Sequence, residues 1–421
     1  MITNIRGTRD LYPEEMRRRK AFLAAARGVL DTACYDEYDA PLLEKFELYT
    51  AKSSAEIIER QSYVFEDRGG ERLVLRPEMT PSLARMVAAR RKQLPSLLRW
   101  YSLPECWRYE RPQKGRTRNF LQLNVDLLGS DDIRADVEII DVAFRLLVAW
   151  GVDVGKVEAR VNDRRVLTSL LAVLGAPPER GREIMRLLDE REKLELSEFS
   201  RRLRELGVDD AGEARLAKFL AGDDLLLQSA DAERVRTLVA KLGELGWRVR
   251  FDPTLIRGFD YYTSTVFELF DTSGEFSRAI FGGGRYDNLV ADMGAEPMPV
   301  IGFGVSDVAI ETLLKDQERE LPFIADERWW VIPFSVSEVA GADSVATILR
   351  AQGKPASVAL PPYDMKRQLK RAAQEGVAKT VLVMPEEWAR GEVIVRDMEK
   401  GAQQTVKLET LVPSTSLRQT V

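Results

Sequence analysis

The stretch from residue 107 to residue 126 reads WRYERPQKGRTRNFLQLNVD and constrains the fold more than any other part of the chain. Two strand-like runs, CWRYE and NFLQLNVDLL, flank the polar and basic segment RPQKGRTR. This order predicts a β-hairpin with a long loop. Because side chains alternate along a strand, one face of the second run is apolar and is predicted to be core: Leu121, Leu123, Val125 and Leu127. The opposite face carries Phe120, Gln122, Asn124 and Asp126.

Five basic side chains cluster in this hairpin: Arg108, Arg111, Lys114, Arg116 and Arg118. Runs of charge are most often solvated loops, and a polar strand face is often a solvent face, so these two interpretations stay open. The alternation of side chains along a strand favours a binding surface instead. Arg108 and Glu110 are two positions apart, so they point the same way, towards the polar face of the partner strand. Guanidinium groups bind phosphate, an aromatic ring stacks on a base, and an amide beside a carboxylate binds a small polar molecule.

The composition indicates a protein of several domains. The chain has 421 residues, which suggests two to four domains, and its 62 basic and 67 acidic residues give a net charge of −5. The chain has no overall excess of positive charge that would indicate nucleic-acid binding, so any RNA contact is expected to be local. No run approaches the roughly 18 apolar residues of a membrane span, and the first residues lack the apolar segment of a signal peptide. We therefore expect a cytoplasmic protein without a membrane partner.

Cysteine and histidine usage excludes several kinds of chemistry. The two cysteines, Cys34 and Cys106, form no CxxC motif, so we expect two reduced, buried thiols and no metal held by protein ligands. The chain contains no histidine, which removes Ser-His-Asp triads, histidine-bound zinc and imidazole acid–base catalysis. Adenylation of a carboxylic acid needs no imidazole, because the substrate carboxylate is already the nucleophile.

Periodicity gives a coarse order of elements in the first part of the chain. Apolar residues recur at helical spacing from Met16 to Ala33, and DEYDAPLLEKFELY reads as an extended stretch. The run RLVLRPEMTPSLARMVAAR predicts a strand, a turn and a helix, with Thr80 as N-cap and Pro81 as the first helical residue. Glu78 then lies in the turn, where the helix dipole alone would favour an acidic residue.

The pattern predicts an α+β protein with an insertion and a C-terminal domain. Residues 1–152 and 251–316 alternate strands and helices, and residues 153–250 are mostly charged, amphipathic helices. A hydrophilic linker follows, and residues 328–421 alternate strand and helix again as a compact α/β domain.

Two further runs carry polar residues inside strand-like sequence. LIRGFDYYTSTVFELF, residues 255–270, places Arg257, Asp260, Tyr261 and Tyr262 in what would otherwise be core. FGGGRYD reads as a glycine-rich turn but matches neither the dinucleotide nor the P-loop spacing. On its own it predicts a bulge or close backbone packing rather than a phosphate cradle.

Together these motifs resemble the histidyl-tRNA synthetase family of class II aminoacyl-tRNA synthetases, over nearly the whole chain. APLLEKFELY resembles motif 1, RPEMTPSLAR the loop that holds the amino group, and WRYERPQKGRTRNFLQLNVD motif 2. LIRGFDYYTSTVFE and GGGRYDNL resemble the two histidine-specific signatures, and the C-terminal region resembles the anticodon-binding domain. The fold it implies is a class II synthetase antiparallel sheet flanked by helices.

The resemblance assigns the amino-acid pocket. Glu78 and Thr80 would hold the ammonium group of histidine, assisted by Gln122. Asp126 would face the imidazole together with Tyr261, Tyr262 and Tyr286. Most relatives carry a glutamate where this chain has Asp126, so the reach of the carboxylate is shorter by one methylene. An imidazole offers N–H donors, and a buried carboxylate left unpaired would penalise any substitute side chain.

The resemblance also assigns the nucleotide and tRNA contacts. Arg108 and Arg257 are the expected catalytic residues: Arg108 would bind the α-phosphate, and Arg257 would bridge it to the carboxylate of the bound histidine. Arg116 would bind the distal phosphates of ATP, Phe120 would stack on adenine, and Glu110 would also belong to the ATP site, with Mg²⁺ bound through the nucleotide. Gln113 and Lys114 would meet the acceptor end of the tRNA.

One departure concerns motif 3, which in the family carries an arginine that clamps ATP. This chain has GFGVSDVAIETLL, so Ala309 stands at the expected arginine. Arg285 is the predicted substitute.

The implied reaction joins ATP and L-histidine to histidyl-adenylate and transfers the histidyl group to the 3′ end of tRNA(His), in a homodimer. A non-catalytic relative that senses histidine, of the type of the regulatory subunit of ATP phosphoribosyltransferase, is the main alternative, which Ala309 favours. A synthetase-like RNA-binding or sensor module is a second alternative. The intact motif 2 arginines and the C-terminal domain favour the enzyme.

Overall fold

The structure is a computed structural model that describes residues 3–50, 61–111, 114–191, 194–222, 225–255, 262–274, 279–322 and 328–411. The chain forms two compact units, Met1–Phe323 and Ile324–Val421. Four residues with predicted or undecided roles lie outside the described residues: Gln113, Arg257, Asp260 and Tyr261.

A large mixed sheet forms the centre of the first unit. In the described residues its strands are β1 (Asp36–Glu37), β5 (Leu98–Ser102), β6 (Glu105–Trp107), β7 (Asn119–Leu128), β8 (Val157–Asp163), β9 (Val249–Phe251), β10 (Thr265–Asp271), β11 (Ala279–Arg285) and β12 (Val300–Ser306). Their order is β1-β5-β7-β12-β11-β10-β8-β9, and β6 pairs with β7. The pairs β1/β5 and β8/β9 are parallel and the others are antiparallel. A small sheet has the order β2 (Leu43–Lys45), β4 (Arg72–Leu75), β3 (Tyr63–Glu66).

Helices cover the sheet and build the insertion. The described helices of the first unit are Pro13–Thr32, Phe46–Thr50, Thr80–Arg90, Ile133–Ala149, Arg164–Val173, Gly181–Asp189, Leu196–Glu205, Asp210–Leu220, Ala230–Glu244, Leu289–Asp292 and Asp307–Asp316. The helix Ile133–Ala149 packs against both Pro13–Thr32 and Ala230–Glu244. It begins at Asp132, whose carboxylate accepts from the Arg134 N–H.

The core lies under the face of β7 that its alternation predicts. Leu121, Leu123, Val125 and Leu127 all belong to the main hydrophobic cluster, so this prediction is confirmed. The fold class, α+β with a helix-flanked sheet and a C-terminal sheet domain, is also confirmed. The hairpin is present too, because β6 and β7 pair antiparallel around the basic loop.

Several local predictions differ from the structure. The stretch DEYDAPLLEKFELY contains two short strands and the helix Phe46–Thr50, which buries Tyr49. Thr80 is the first helical residue rather than the N-cap, and Met79 stands at the cap position with no side-chain cap bond. Cys106 is buried, and burial raises the pKa of its thiol to about 12. Cys34 is exposed instead; it follows the first helix and has a φ of 61°.

The insertion is more closely joined to the sheet than helical periodicity indicates. Strands β8 and β9, near the two ends of the range 153–250, pair with each other, and β8 also pairs with β10. Val157, Ala159 and Val161 of β8 belong to the main core, since alternate positions of that strand are small or branched apolar residues. The helices between β8 and β9 bury a second cluster around Leu170 and Phe219.

The second unit is a five-stranded sheet in the described residues. Its strands are β13 (Trp329–Pro333), β14 (Ala356–Val358), β15 (Lys379–Val383), β16 (Glu392–Asp397) and β17 (Gln403–Lys407), in the order β14-β13-β15-β16-β17. Its helices are Val339–Ala351, Met365–Gln374, Pro385–Ala389 and Leu408–Leu411. Strands β13 to β15 pair in parallel, as strand–helix alternation predicts. Within the described ranges no helix combines the length and apolar character that crossing a membrane requires.

Candidate active site

A cavity of about 600 Å³ lies on the polar face of β7, opposite the core. It contains most of the described residues that the sequence predicts for histidine and ATP: Glu78, Thr80, Arg108, Glu110, Arg116, Phe120, Gln122, Asp126, Tyr262 and Tyr286. These residues come from the start of the helix Thr80–Arg90 and the turn before it, from the hairpin around β7, from the end of β11 and from the segment before β10. The fold therefore brings together side chains that are up to about 200 positions apart in sequence.

Glycines on β12 make room for the polar row of β7. In the antiparallel register Gly302 lies opposite Asp126, and Gly304 lies opposite Asn124. A Cβ on Gly302 would lie 2.1 Å from Asp126 Oδ1, and one on Gly304 would lie 2.5 Å from Gln122 Nε2. The polar side chains thus lean across the neighbouring strand, which only glycine permits.

Glycines on β11 likewise allow close packing against the backbone. A Cβ on Gly284 would lie 2.8 Å from Cδ1 of Tyr262, so the tyrosine ring rests on the bare backbone there. A Cβ on Gly283 would lie 2.0 Å from the Gly302 carbonyl oxygen. The prediction of close backbone packing at FGGGRYD is confirmed, although the glycines belong to a strand rather than a turn.

We expect Gly304→Ala to weaken histidine binding about tenfold, because its methyl group would displace the amides of Gln122 and Asn124 from the cavity wall. These amides end movable side chains, so the variant should still fold. Calorimetric titration with histidine, paired with a thermal melt, measures both effects. Gly243→Ala, in a helix where nothing lies within 4 Å of the added Cβ, is the control and should bind like the parent. Unchanged affinity in Gly304→Ala would contradict the packing argument.

Asp126 and Tyr286 form a buried pair at one end of the cavity. Their side chains belong to residues that are 5% and 4% exposed, and the Tyr286 hydroxyl donates a short hydrogen bond to Asp126 Oδ1. Burial raises the pKa of Asp126 to about 7, and the hydrogen bond from Tyr286 partly offsets this rise. A partner that donates an N–H to Asp126 Oδ2 would favour the charged carboxylate.

Two arginines face each other across Glu110 at the other end. The Arg116 Nη1 donates to Glu110 Oε2 at 3.2 Å, and the Arg108 Nη1 lies 3.9 Å from Glu110 Oε1. The Arg108 Nε donates to the Pro77 carbonyl at 2.9 Å, which fixes the plane of its guanidinium group. The Arg108 Cζ lies 5.3 Å from the centroid of the Phe120 ring. This arrangement offers two forked cations and an aromatic ring to a nucleotide.

The segment at the position of motif 3 stabilises the fold beside the cavity. Ser306 caps the helix Asp307–Asp316, and its hydroxyl accepts from the Ala309 N–H at 3.2 Å. The Asp307 carboxylate accepts from the Leu121 N–H at 3.0 Å and from Arg9 Nη2 at 2.8 Å. Asp307 therefore ties the helix to the strand that carries Phe120. Ala309 lines the cavity with a methyl group.

The structure contradicts the prediction that Arg285 binds ATP. Its side chain is 2% exposed and is absent from the residues that line the cavity. Its guanidinium group donates to the Asp136 carboxylate at 2.7 and 3.0 Å and to the Ser130 carbonyl at 2.9 Å. Asp136, which is fully buried, also pairs with Arg234 at 2.5 Å. Arg285 is thus part of a buried ion triad behind β11.

Arg285→Ala should lower the free energy of unfolding by about 3 kcal/mol, because it leaves the buried Asp136 charge with one partner instead of two. The apparent affinity for ATP should not change in the folded enzyme. Urea unfolding and the ATP dependence of pyrophosphate exchange measure the two effects. Arg111→Ala removes an exposed arginine and is the control for stability. A selective loss of ATP affinity would restore Arg285 to the nucleotide site.

Lys114, predicted to contact the tRNA, does not line the cavity. Its Nζ lies 2.8 Å from Asp316 Oδ1, at the end of the helix Asp307–Asp316, and its side chain is 66% exposed. The tRNA contact stays a prediction.

Among the charged or polar residues of the cavity wall that had no predicted role are Asn124 and Glu268. Asn124 had a usable signal, since it lies between Gln122 and Asp126 on the polar face of β7. Glu268 had a weaker one, a single acid inside the apolar run VFELF of β10.

Comparison with known proteins identifies the family of the chain. Residues 7–309 match the family model described as "Histidyl-tRNA synthetase", and residues 330–414 match "Anticodon binding domain". A relative from Leptospira biflexa, named "Histidine--tRNA ligase", is 35% identical over 412 residues, which cover 96% of this chain and 94% of that protein.

Solved structures share the fold. Histidyl-tRNA synthetase from Nostoc sp. PCC 7120 superposes with a TM-score of 0.83 at 20% identity, over 98% of both chains. A protein from Bacillus halodurans C, described as an ATP phosphoribosyltransferase regulatory subunit/histidyl-tRNA synthetase, gives a TM-score of 0.75 at 23% identity, over 91% of this chain and 98% of that one. With the two family-model matches and the full-length relative, the chain belongs to the histidyl-tRNA synthetase family.

Proposed function

We propose that the protein is a histidine–tRNA ligase, which activates L-histidine with ATP and transfers the histidyl group to the 3′ end of tRNA(His). The observation that carries the proposal is one cavity with the buried Asp126–Tyr286 pair at one end and the Arg108–Glu110–Arg116 group at the other. The first end suits an imidazole and the second suits a nucleotide.

The amino-acid end of the cavity would bind both the ammonium group and the imidazole of histidine. Glu78, 4% exposed, stands just before the helix Thr80–Arg90 and would bind the ammonium group together with Thr80. Asp126 would accept from an imidazole N–H, and Tyr262 and Tyr286 would form the aromatic walls. The charged carboxylate of the substrate then faces the arginines.

In the first step an oxygen of the histidine carboxylate attacks the α-phosphorus of ATP, and the bond to the β-phosphate breaks. Arg108 and Arg116 would leave Glu110 for the phosphates and stabilise the charge that develops there. Arg257 is proposed to bridge the α-phosphate and the carboxylate. The Mg²⁺ proposed to be bound through the nucleotide would supply neutralisation of the phosphate charge, and Glu110 is a carboxylate that could add one protein ligand to it.

In the second step a hydroxyl of the terminal ribose of tRNA(His) attacks the activated carbonyl, and AMP leaves. Gln113 and Lys114 are proposed to meet the acceptor end, and residues 330–414 are proposed to bind the anticodon. A homodimer is proposed as the working form. Four exposed apolar side chains on and beside the small sheet support it: Leu42, Leu43, Val64 and Phe65. Sedimentation should give twice the chain mass of 47.6 kDa.

The second candidate is a histidine sensor without catalysis, of the type of the ATP phosphoribosyltransferase regulatory subunit. Ala309, which leaves a methyl group where the family has an arginine, favours it. The paired arginines around Glu110 and the match of residues 330–414 support the enzyme. Histidine-dependent ATP–pyrophosphate exchange separates the two functions. Folded protein that binds histidine but gives no exchange would establish the sensor.

A further inference from the structure

One buried amide in the cavity wall is without a hydrogen-bond partner. Asn124, 4% exposed, lies on β7 between Gln122 and Asp126 and shares their face of the strand. Its Nδ2 has no partner within the described part of the chain. Buried donors are nearly always paired, so an unpaired one in a cavity wall points to a ligand.

The neighbours of Asn124 determine which end of the amide is available. The Gln122 Nε2 donates to Asn124 Oδ1 at 2.7 Å, so the oxygen already has a partner. Gly304, opposite on β12, has no side chain that could accept from Nδ2. The cavity therefore presents an N–H donor at position 124 and a carboxylate acceptor at position 126.

A neutral imidazole carries the complementary pair of groups, one N–H donor and one unprotonated nitrogen. We propose that Asn124 is a specificity-determining residue, which donates from Nδ2 to the unprotonated ring nitrogen of histidine while Asp126 accepts from the ring N–H. This inference rests on the proposed histidine–tRNA ligase function and deepens it.

The spacing of the two residues suits such a ring. Two positions along a strand advance the chain by about 6.7 Å. A five-membered ring with hydrogen bonds of about 2.9 Å on either side spans a comparable length. The pair would therefore read the order of donor and acceptor in the ring, and an analogue that lacks the acceptor would leave Nδ2 unpaired.

Calorimetric titration of the full chain with L-histidine and with two pyrrolylalanines tests this proposal. β-(Pyrrol-2-yl)alanine and β-(pyrrol-3-yl)alanine each keep one ring N–H and replace the other nitrogen by C–H. We expect the parent protein to bind histidine about 10 to 100 times more tightly than the better pyrrole. Asn124→Ala should weaken histidine by that factor and leave the better pyrrole within about threefold, so the discrimination disappears.

Two further variants keep the test decisive. Asn124→Leu keeps the branched shape and removes the donor without adding an acceptor, so it should also lose the discrimination, even where Asn124→Ala is unstable. Asn119→Ala removes an asparagine of the same strand that does not line the cavity, and it should bind all three ligands like the parent.

If Asn124→Ala weakens histidine and both pyrroles by the same factor, the residue supports the cavity without reading the ring, and the inference is overturned. Unchanged histidine affinity overturns it as well, while the proposed function stands if pyrophosphate exchange continues. A parent protein that binds no histidine and gives no exchange overturns both.

Discussion

Asp126→Asn is expected to weaken histidine binding by about 100-fold or more and to change ATP binding little. Asparagine has one acceptor oxygen, and the hydroxyl of Tyr286 already donates to the equivalent Asp126 Oδ1. The amide nitrogen would then face the imidazole N–H, so two donors would meet in a buried site. A site built to accept a hydrogen bond discriminates strongly when the pairing fails.

The same substitution should stabilise the protein without ligand at alkaline pH. The folded-state pKa of Asp126 is raised from the ordinary 3.8 to about 7, so the folded protein retains a proton that the unfolded chain has released. Stability from this group is therefore fully present below pH 3.8, falls as the pH rises to about 7, and stays low above it. At 1.36 kcal/mol per pKa unit the loss reaches about 4 kcal/mol. Asparagine does not titrate and avoids it.

Thermal melts at pH 5 and pH 8, together with calorimetric titration of histidine, measure both effects. Asp271→Asn replaces a buried aspartate of β10 that does not line the cavity, so its histidine affinity should match that of the parent. Equal weakening of histidine and ATP by Asp126→Asn would refute the assignment of Asp126 to the imidazole. A stability difference that is the same at both pH values would refute the raised pKa.

The alternation of apolar and polar residues predicts much of the site, because this alternation can be read from the sequence of a single strand. The period of two on β7 separates the core leucines from Gln122 and Asp126, and the structure keeps that division. The same rule could have corrected the prediction for Arg285. Tyr286 lines the cavity, so the residue before it points to the other side of the sheet, where Asp136 lies.

Contacts between neighbouring strands could not be predicted from the sequence in this way. The glycines of GFGVS become meaningful only when the register places Gly302 opposite Asp126 and Gly304 opposite Asn124. The contact between Asp126 and Tyr286 joins residues that are 160 positions apart, and no periodicity predicts it. The resemblance to a family supplied both residues, and the unpaired amide of Asn124 required coordinates.

The largest expected loss of catalysis is that of Arg108→Ala, for which we expect kcat/KM for ATP in pyrophosphate exchange to fall about 10³-fold. Removing one guanidinium group that stabilises the charge of the transition state lowers the rate by about this factor. Histidine affinity should change at most a few-fold, because the buried Asp126–Tyr286 pair lies at the other end of the cavity. Arg111→Ala, which removes an exposed arginine of the same loop, should keep the parent rate.

Arg108→Lys separates charge from geometry in the same experiment. Lysine keeps the positive charge but lacks both the Nε that donates to the Pro77 carbonyl at 2.9 Å and the planar fork next to Phe120. If orientation of the guanidinium group matters, the lysine variant should remain about 100-fold below the parent, closer to the alanine variant than to the parent. If the lysine variant reached the parent rate, a point charge would suffice at the α-phosphate. The Pro77 contact would then be a feature of the fold rather than of the reaction, and Arg116 would be the better candidate for the oriented cation.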